Sequence, residues 1–197
     1  MDDRSRQIVR RLKAVLASHV RSAESGGRLT RAAVLVPLVE ARAGLHLLLT
    51  RRTDEVETHK GQIAFPGGVA DGNDANSIDT ALRETEEELG IGKSSVEILG
   101  LLDDLTTPTG FVITPIVGYF PGAVTLRPNP AEVAEVFTVP LGFLADERNA
   151  TLEMRRVAGE DREVWSYVYG DHLIWGATAW IIRSLLPSLL EAQGPSA

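Results

Sequence analysis

The sequence predicts an α/β fold in which a mixed β-sheet is flanked by helices. Three observations carry this expectation. Strand-like and helix-like segments are interspersed along the 197 residues without strict alternation, the pattern of a mixed sheet covered by helices. Two early segments, "AAVLVPLVE" (32–40) and "LHLLLTRR" (45–52), are almost continuously apolar, which suggests strands buried on both faces. Residues 78–89 carry apolar side chains at helical spacing, so one stripe of that helix faces a core.

Taken in order, residues 5–21 place Ile8, Leu12, Val15, Leu16 and Val20 at helical spacing, with Arg and Lys between them. This predicts a helix packed by one face, its basic side solvated. "SAESGGR" (22–28) reads as a linker. The two apolar strands follow, joined around Gly44. Residues 53–76 are loop-rich, broken by Pro66, Gly67, Gly68 and Gly72.

The next helix has Asn76 or Ser77 as its cap and Gly90 as its natural end. Ile78, Ala81, Leu82, Thr85 and Leu89 form its core-facing stripe. Residues 96–105 and 111–120 read as strands around the turn "TPTG", and 132–141 as another. Residues 151–157 and 163–170 suggest a hairpin. The C-terminal run 174–190 reads as a helix, with a kink expected near Pro187, and "EAQGPSA" as a frayed tail.

Composition bounds the function. The net charge is −7, from 20 Lys and Arg against 27 Asp and Glu. That argues against a general nucleic-acid or anionic-membrane binder. It leaves room for an anionic small molecule, because bound cations reverse a local field. Cysteine is absent, so the protein has no thiol chemistry of its own. The first residues lack the apolar core of a secretory signal, and no run reaches the roughly 20 apolar residues of a membrane span. A cytoplasmic protein is the expectation.

The run Glu84, Glu86, Glu87, Glu88 raises an electrostatic question, since like charges three or four apart on a helix repel by about 0.2–0.5 kcal/mol per pair. At about 100° per residue, Glu87 lies about 60° to one side of Glu84 and Glu88 about 40° to the other. These three share a face, whereas Glu86 points elsewhere. A solvated acidic face is the plain reading of such a run. Here a third carboxylate joins at i−3/i−4, and Arg83 sits beside the cluster, able to orient it. Oxygen ligands of this kind select hard cations such as Mg²⁺ or Mn²⁺. Gly67 and Gly68, lacking side chains, let backbone groups approach a metal or a phosphate.

On these residues the stretch resembles the Nudix box, G-x5-E-x7-R-E-U-x-E-E-x-G-U, with U a bulky apolar residue. Arg83 to Ile91 match every fixed position except U, where Thr85 stands. Asp74 replaces the first glutamate, and one residue is inserted between it and Arg83. The preceding run, residues 48–68, resembles the extra motif of the coenzyme A pyrophosphatase branch. Leu48, Leu49, Thr50, Arg52, Gly61, Phe65, Pro66, Gly67 and Gly68 match. Thr53 replaces a small residue, and Glu57 stands where that motif has a second arginine, with His59 or Lys60 as compensating cations.

The resemblance implies a Nudix-like α/β/α sandwich spanning residues 29–197, preceded by an N-terminal helix and linker over 1–28. It implies metal-dependent hydrolysis of a nucleoside diphosphate linked to another group. For coenzyme A the products are 4′-phosphopantetheine and adenosine 3′,5′-bisphosphate. ADP-ribose or a dinucleotide is the rival substrate, and a non-catalytic nucleotide sensor the rival class. Glu84, Glu87 and Glu88 are implied ligands of Mg²⁺ or Mn²⁺ with the Gly67 carbonyl, Glu84 being alternatively the base that deprotonates water. Arg83 is a further catalytic candidate.

Arg51, Arg52, Lys60, Gly68 and Phe65 are candidates for substrate contact. By strand alternation at most one of Arg51 and Arg52 points into the site. Asp74, Asp104 and Glu135 are supporting acids. Asp103 and Asp104 have turn capping as the alternative, and Glu132 and Glu135 an exposed loop. His172 and Trp175 are candidates to meet an adenine, with core packing expected of Trp175. The expected partner is a coenzyme A-like small molecule, with a homodimer possible and neither nucleic acid nor membrane.

Overall fold

In the computed structural model, which describes residues 3–24, 29–41, 44–54, 60–122, 124–157 and 159–194, a mixed sheet is enclosed between helices. The chain begins with α1 (Asp3–Ser18) and enters the sheet through β1 (Thr30–Ala41) and β2 (Gly44–Arg52). Two short strands, β3 (Ile63–Ala64) and β4 (Gly67–Val69), interrupt the segment read as loop. Then come α2 (Ser77–Leu89), β5 (Glu97–Leu101), β6 (Leu105–Thr106), β7 (Phe111–Tyr119), β8 (Val133–Pro140) and the short α3 (Leu141–Ala145). A separate sheet of β9 (Ala150–Val157), β10 (Glu160–Tyr169) and β11 (His172–Trp175) precedes α4 (Ala177–Gln193).

In the main sheet, β1 runs parallel to β7 on one edge. Its other edge pairs antiparallel with β4 and then β2. β2 continues to β3 and β8, while β5 and β6 pair with β7. The apolar strands bury both faces, as their composition predicts. Val36 and Leu38 of β1 meet Leu47 and Leu49 of β2 in one core with α1 and α4. Ala33, Leu35 and Leu48 point the other way, into a second core with Ala81, Leu82 and Leu89 of α2. Val9, Leu12 and Leu16 of α1 pack in the first core, so the N-terminal helix is built into the domain.

Three sequence readings change. The strand expected over 96–105 divides into β5 and β6, because Asp103 and Asp104 turn away to bond elsewhere. The helix expected from residue 174 starts at Ala177, since Ile174 and Trp175 pair with Tyr167 and Ser166 in β11. It runs through Pro187 to Gln193. Trp175 is not core; it is 38% exposed, with the Arg155 guanidinium 6.0 Å from its ring.

Candidate active site

The site forms where α2 crosses β4 and the end of β2. Asn76 starts the helix by accepting from the amides of Ile78 and Asp79, satisfying donors that a helix leaves free. Gly90 ends it in the left-handed region, φ 67°, and a Cβ there would lie 2.8 Å from that of Arg127. The stripe from Ala81 to Leu89 is buried. Thr85, the odd residue of that stripe, is buried too, its hydroxyl donating to the Ala81 carbonyl at 2.6 Å. A hydroxyl is thus accommodated where an apolar side chain is usual.

The paired glycines have separate reasons. Gly67 pairs with Val34 at φ 150°, and a Cβ there would clash with the Ala33 carbonyl oxygen. Gly68 has the Glu84 carboxyl group laid against it; a Cβ there would come within 2.5 Å of the Glu84 Cδ. The glycines therefore admit β1 on one side and the Glu84 carboxylate on the other.

Arg83 organises the acids with every N–H it has. Nε and Nη2 donate to the two Asp74 oxygens, each at 3.0 Å. Nη2 also donates to the Val69 carbonyl, and Nη1 to Glu84 at 2.9 Å and Glu87 at 3.1 Å. Asp74 accepts the Asp71 amide as well. The inserted residue before the helix thus leaves a bidentate Asp74–Arg83 pair in place. These bonds hold the Asp74 carboxyl well below the usual carboxylate range and raise Arg83.

The three glutamates share the site in unequal settings. The Glu87 side chain is 53% exposed, whereas that of Glu88 is 5% exposed. Burial pushes Glu88 up to about 8, with Glu84 and Glu132 adding to the rise against the pull of Arg52 and the Gly67 amide. Burial also raises Glu84, opposed by Arg83 and assisted by Glu87 and Glu132. Among the described residues, no three acidic or histidine side chains already close around one point. Arg83 stands between Glu84 and Glu87, while Glu88 turns inward, with Arg52 Nη1 3.7 Å from its Oε1.

Other candidates separate cleanly. Arg52 faces Glu88, and its neighbour Arg51 bonds Glu135 at 3.2 Å, as strand alternation requires. Glu135 also meets His172 at 3.1 Å, whose ring stacks on Phe137. Arg51, Glu135 and His172 therefore form a link between the two sheets, and Arg51 and Glu135 spend these contacts on each other and on His172. Phe65 is 4% exposed and belongs to the core.

Asp104 is engaged by β7 and by the chain after α1. Its oxygens accept from Thr114, the Glu24 amide and Arg21. Asp103 accepts from the Ser22 amide and meets His19. Together they tie down the chain after α1. Lys60 is exposed, and Glu57 and His59 lie outside the described residues.

Two residues that sequence reasoning passed over set the remaining wall. The amides of Arg127 and Asn129 donate to the Leu89 and Glu88 carbonyls at the end of α2. The Asn129 side chain donates to Glu132 at 3.0 Å and accepts the Ala131 amide. Thr53 donates its amide to the Glu132 carbonyl and its hydroxyl to that of Ala131. This loop brings the charge of Glu132 to bear on Glu84 and Glu88. The signal was the string "NPAE", an asparagine poised to bond the backbone two residues on.

The NUDIX domain pattern matches residues 29–164. The chain belongs to the Nudix family. Among its relatives is the Nudix hydrolase NudL of Photorhabdus laumondii subsp. laumondii, 47% identical over 155 residues, covering 78% of this chain and 82% of that protein. NudL of Yersinia enterocolitica is 47% identical over 155 residues, 78% of each chain. The solved Nudix hydrolase from Alicyclobacillus acidocaldarius shares the fold, with a TM-score of 0.52 at 19% identity over 83% of this chain and 93% of that one. As a Nudix hydrolase the protein cleaves the pyrophosphate bond of a nucleoside diphosphate derivative, and the family works with divalent metal ions such as Mg²⁺ or Mn²⁺.

The residues present fit such an ion. Glu88 Oε2 is buried without a hydrogen-bond partner among the described residues, as is Arg52 Nε. An orphaned carboxylate oxygen is costly unless a cation meets it. Crowding by Glu84 and Glu132 adds to that cost, and oxygen-only donors suit hard divalent cations.

Proposed function

We propose that this Nudix hydrolase splits the pyrophosphate of coenzyme A or its derivatives, releasing 4′-phosphopantetheine and adenosine 3′,5′-bisphosphate. The observation that carries the reading is the 3.7 Å approach of Arg52 to Glu88. It joins the run 48–68, which resembles the coenzyme A pyrophosphatase motif, to the carboxylate helix in one site.

Glu84, Glu87 and Glu88 are the proposed ligands of Mg²⁺ or Mn²⁺, with the Gly67 carbonyl. When bound, the metal lowers the pKa of water and neutralises the diphosphate for in-line displacement. The chain supplies the rest. Arg83, fixed by Asp74, holds Glu84 and Glu87 in place. Glu84, raised by burial, is suited either to bind the ion or to take the proton of the attacking water. Arg52 offers a guanidinium to a phosphate oxygen, and Lys60 is an exposed cation proposed for a second phosphate contact. Gly68 keeps the space over Glu84 clear. Glu132 stands by as a further acid.

The test is incubation of the purified protein with coenzyme A, acetyl-coenzyme A, ADP-ribose and diadenosine polyphosphates, with and without Mg²⁺ or Mn²⁺, and identification of the products. Metal-dependent formation of the two named products, with coenzyme A preferred by kcat/KM, is the expected result. Preference for ADP-ribose or a dinucleotide overturns the substrate, and tight binding without turnover favours a sensor.

A further inference from the structure

The second sheet ends in a bare ribbon. β9 and β10 pair in unbroken register from Ala150–Tyr167 to Val157–Glu160, while β11 reaches only to Ser166. Residues 151–156 and 159–163 are exposed on both faces of the ribbon. Leu152 is 43% and Met154 64% exposed. A two-stranded ribbon is marginal by itself in water. Among the described residues β9 is also an edge strand, without proline or bulge, so its outward amides and carbonyls are a template for another strand.

The charges on β9 say which strand. Glu153 and Arg155 lie on one face, 2.8 Å apart. Antiparallel pairing of β9 with a copy of itself places an axis through one residue. An axis at Glu153 sets two carboxylates opposite each other, and one at Arg155 sets two guanidiniums opposite; both are unfavourable. An axis at Met154 sets Glu153 against Arg155 of the second copy, twice over, and apposes the two exposed methionines.

We propose that β9 is a self-docking edge: a second copy of this chain adds antiparallel to it about Met154, merging two three-stranded sheets into one. This is independent of the substrate proposed above.

The absence of cysteine makes the register directly testable. Directly opposed residues have Cα atoms about 4.5–5.5 Å apart, within reach of a disulfide. Under mild oxidation, Met154→Cys is expected to form a covalent dimer, while Glu153→Cys and Arg155→Cys do not. Sedimentation across the micromolar range is expected to find a wild-type dimer, a monomer for Glu153→Arg, and a dimer again for Glu153→Arg/Arg155→Glu. A monomeric wild type overturns the proposal. So does a dimer that Met154→Cys fails to cross-link, or a charge swap that fails to restore association in a folded protein.

Discussion

Glu88→Gln is expected to lower kcat about a thousandfold while stabilising the metal-free protein at alkaline pH. The carboxyl is buried, and its pKa rises from 4.5 to about 8. A carboxyl raised in the folded state lets that state bind a proton that the unfolded chain releases. Stability from this group is therefore complete below about 4.5 and drains away as pH climbs towards about 8. By pH 8 the cost is on the order of a few kcal/mol, at about 1.4 kcal/mol per pKa unit. Glutamine keeps the shape and removes the titration.

Urea midpoints in EDTA are expected to favour the variant at pH 8 and to converge near pH 4.5. Added Mn²⁺ is expected to raise the wild-type midpoint far more than the variant's, because only the wild type holds a buried charge for the ion to neutralise. The loss of kcat is expected to be about a thousandfold, the upper range for removal of one preorganised electrostatic group. Equal stability of the two proteins at pH 8 would show that Glu88 is not a stored charge.

The second large effect separates neighbours on the same helix. Glu87→Gln is expected to lower kcat about 10²–10³-fold, with the urea midpoint barely changed, since its side chain is 53% exposed. Glu86→Gln is expected to stay within about twofold of wild type. Glu86 is exposed, and its fixed contribution is a backbone carbonyl that accepts the Gly90 amide, which glutamine retains. Comparable losses in both would contradict the proposed catalytic face.

Much of this was legible from spacing. The period of Ala81, Leu82, Thr85 and Leu89 located the buried face of α2, and alternation separated Arg51 from Arg52. What spacing could not convey was depth. Glu87 and Glu88 sit on the same broad face, yet one is in solvent and the other beneath Arg52, because the end of β2 covers only one side of the helix. Nor did the motif match reveal that Phe65 packs in the core, since a residue can recur in a motif for its volume alone. Glu132 and Glu135 were indistinguishable as a pair of loop acids. The loop tied to the end of α2 brings Glu132 to the glutamates, and the pleat of β8 sends Glu135 to His172. Trp175 misled for a local reason. It ends β11 with its ring on the outward face, and the apolar run that made it resemble helix belongs to α4, two residues on.

In the proposed chemistry the α2 carboxylates grip a divalent ion beside the Gly67–Gly68 strand. Anomalous diffraction from crystals soaked in Mn²⁺ tests it most directly. A strong peak is expected within bonding distance of Glu88 and at least one of Glu84 and Glu87, lost in Glu88→Gln. Ordered crystals at saturating Mn²⁺ with no peak among these oxygens, Arg52 and Arg83 still filling the space between them, would contradict it.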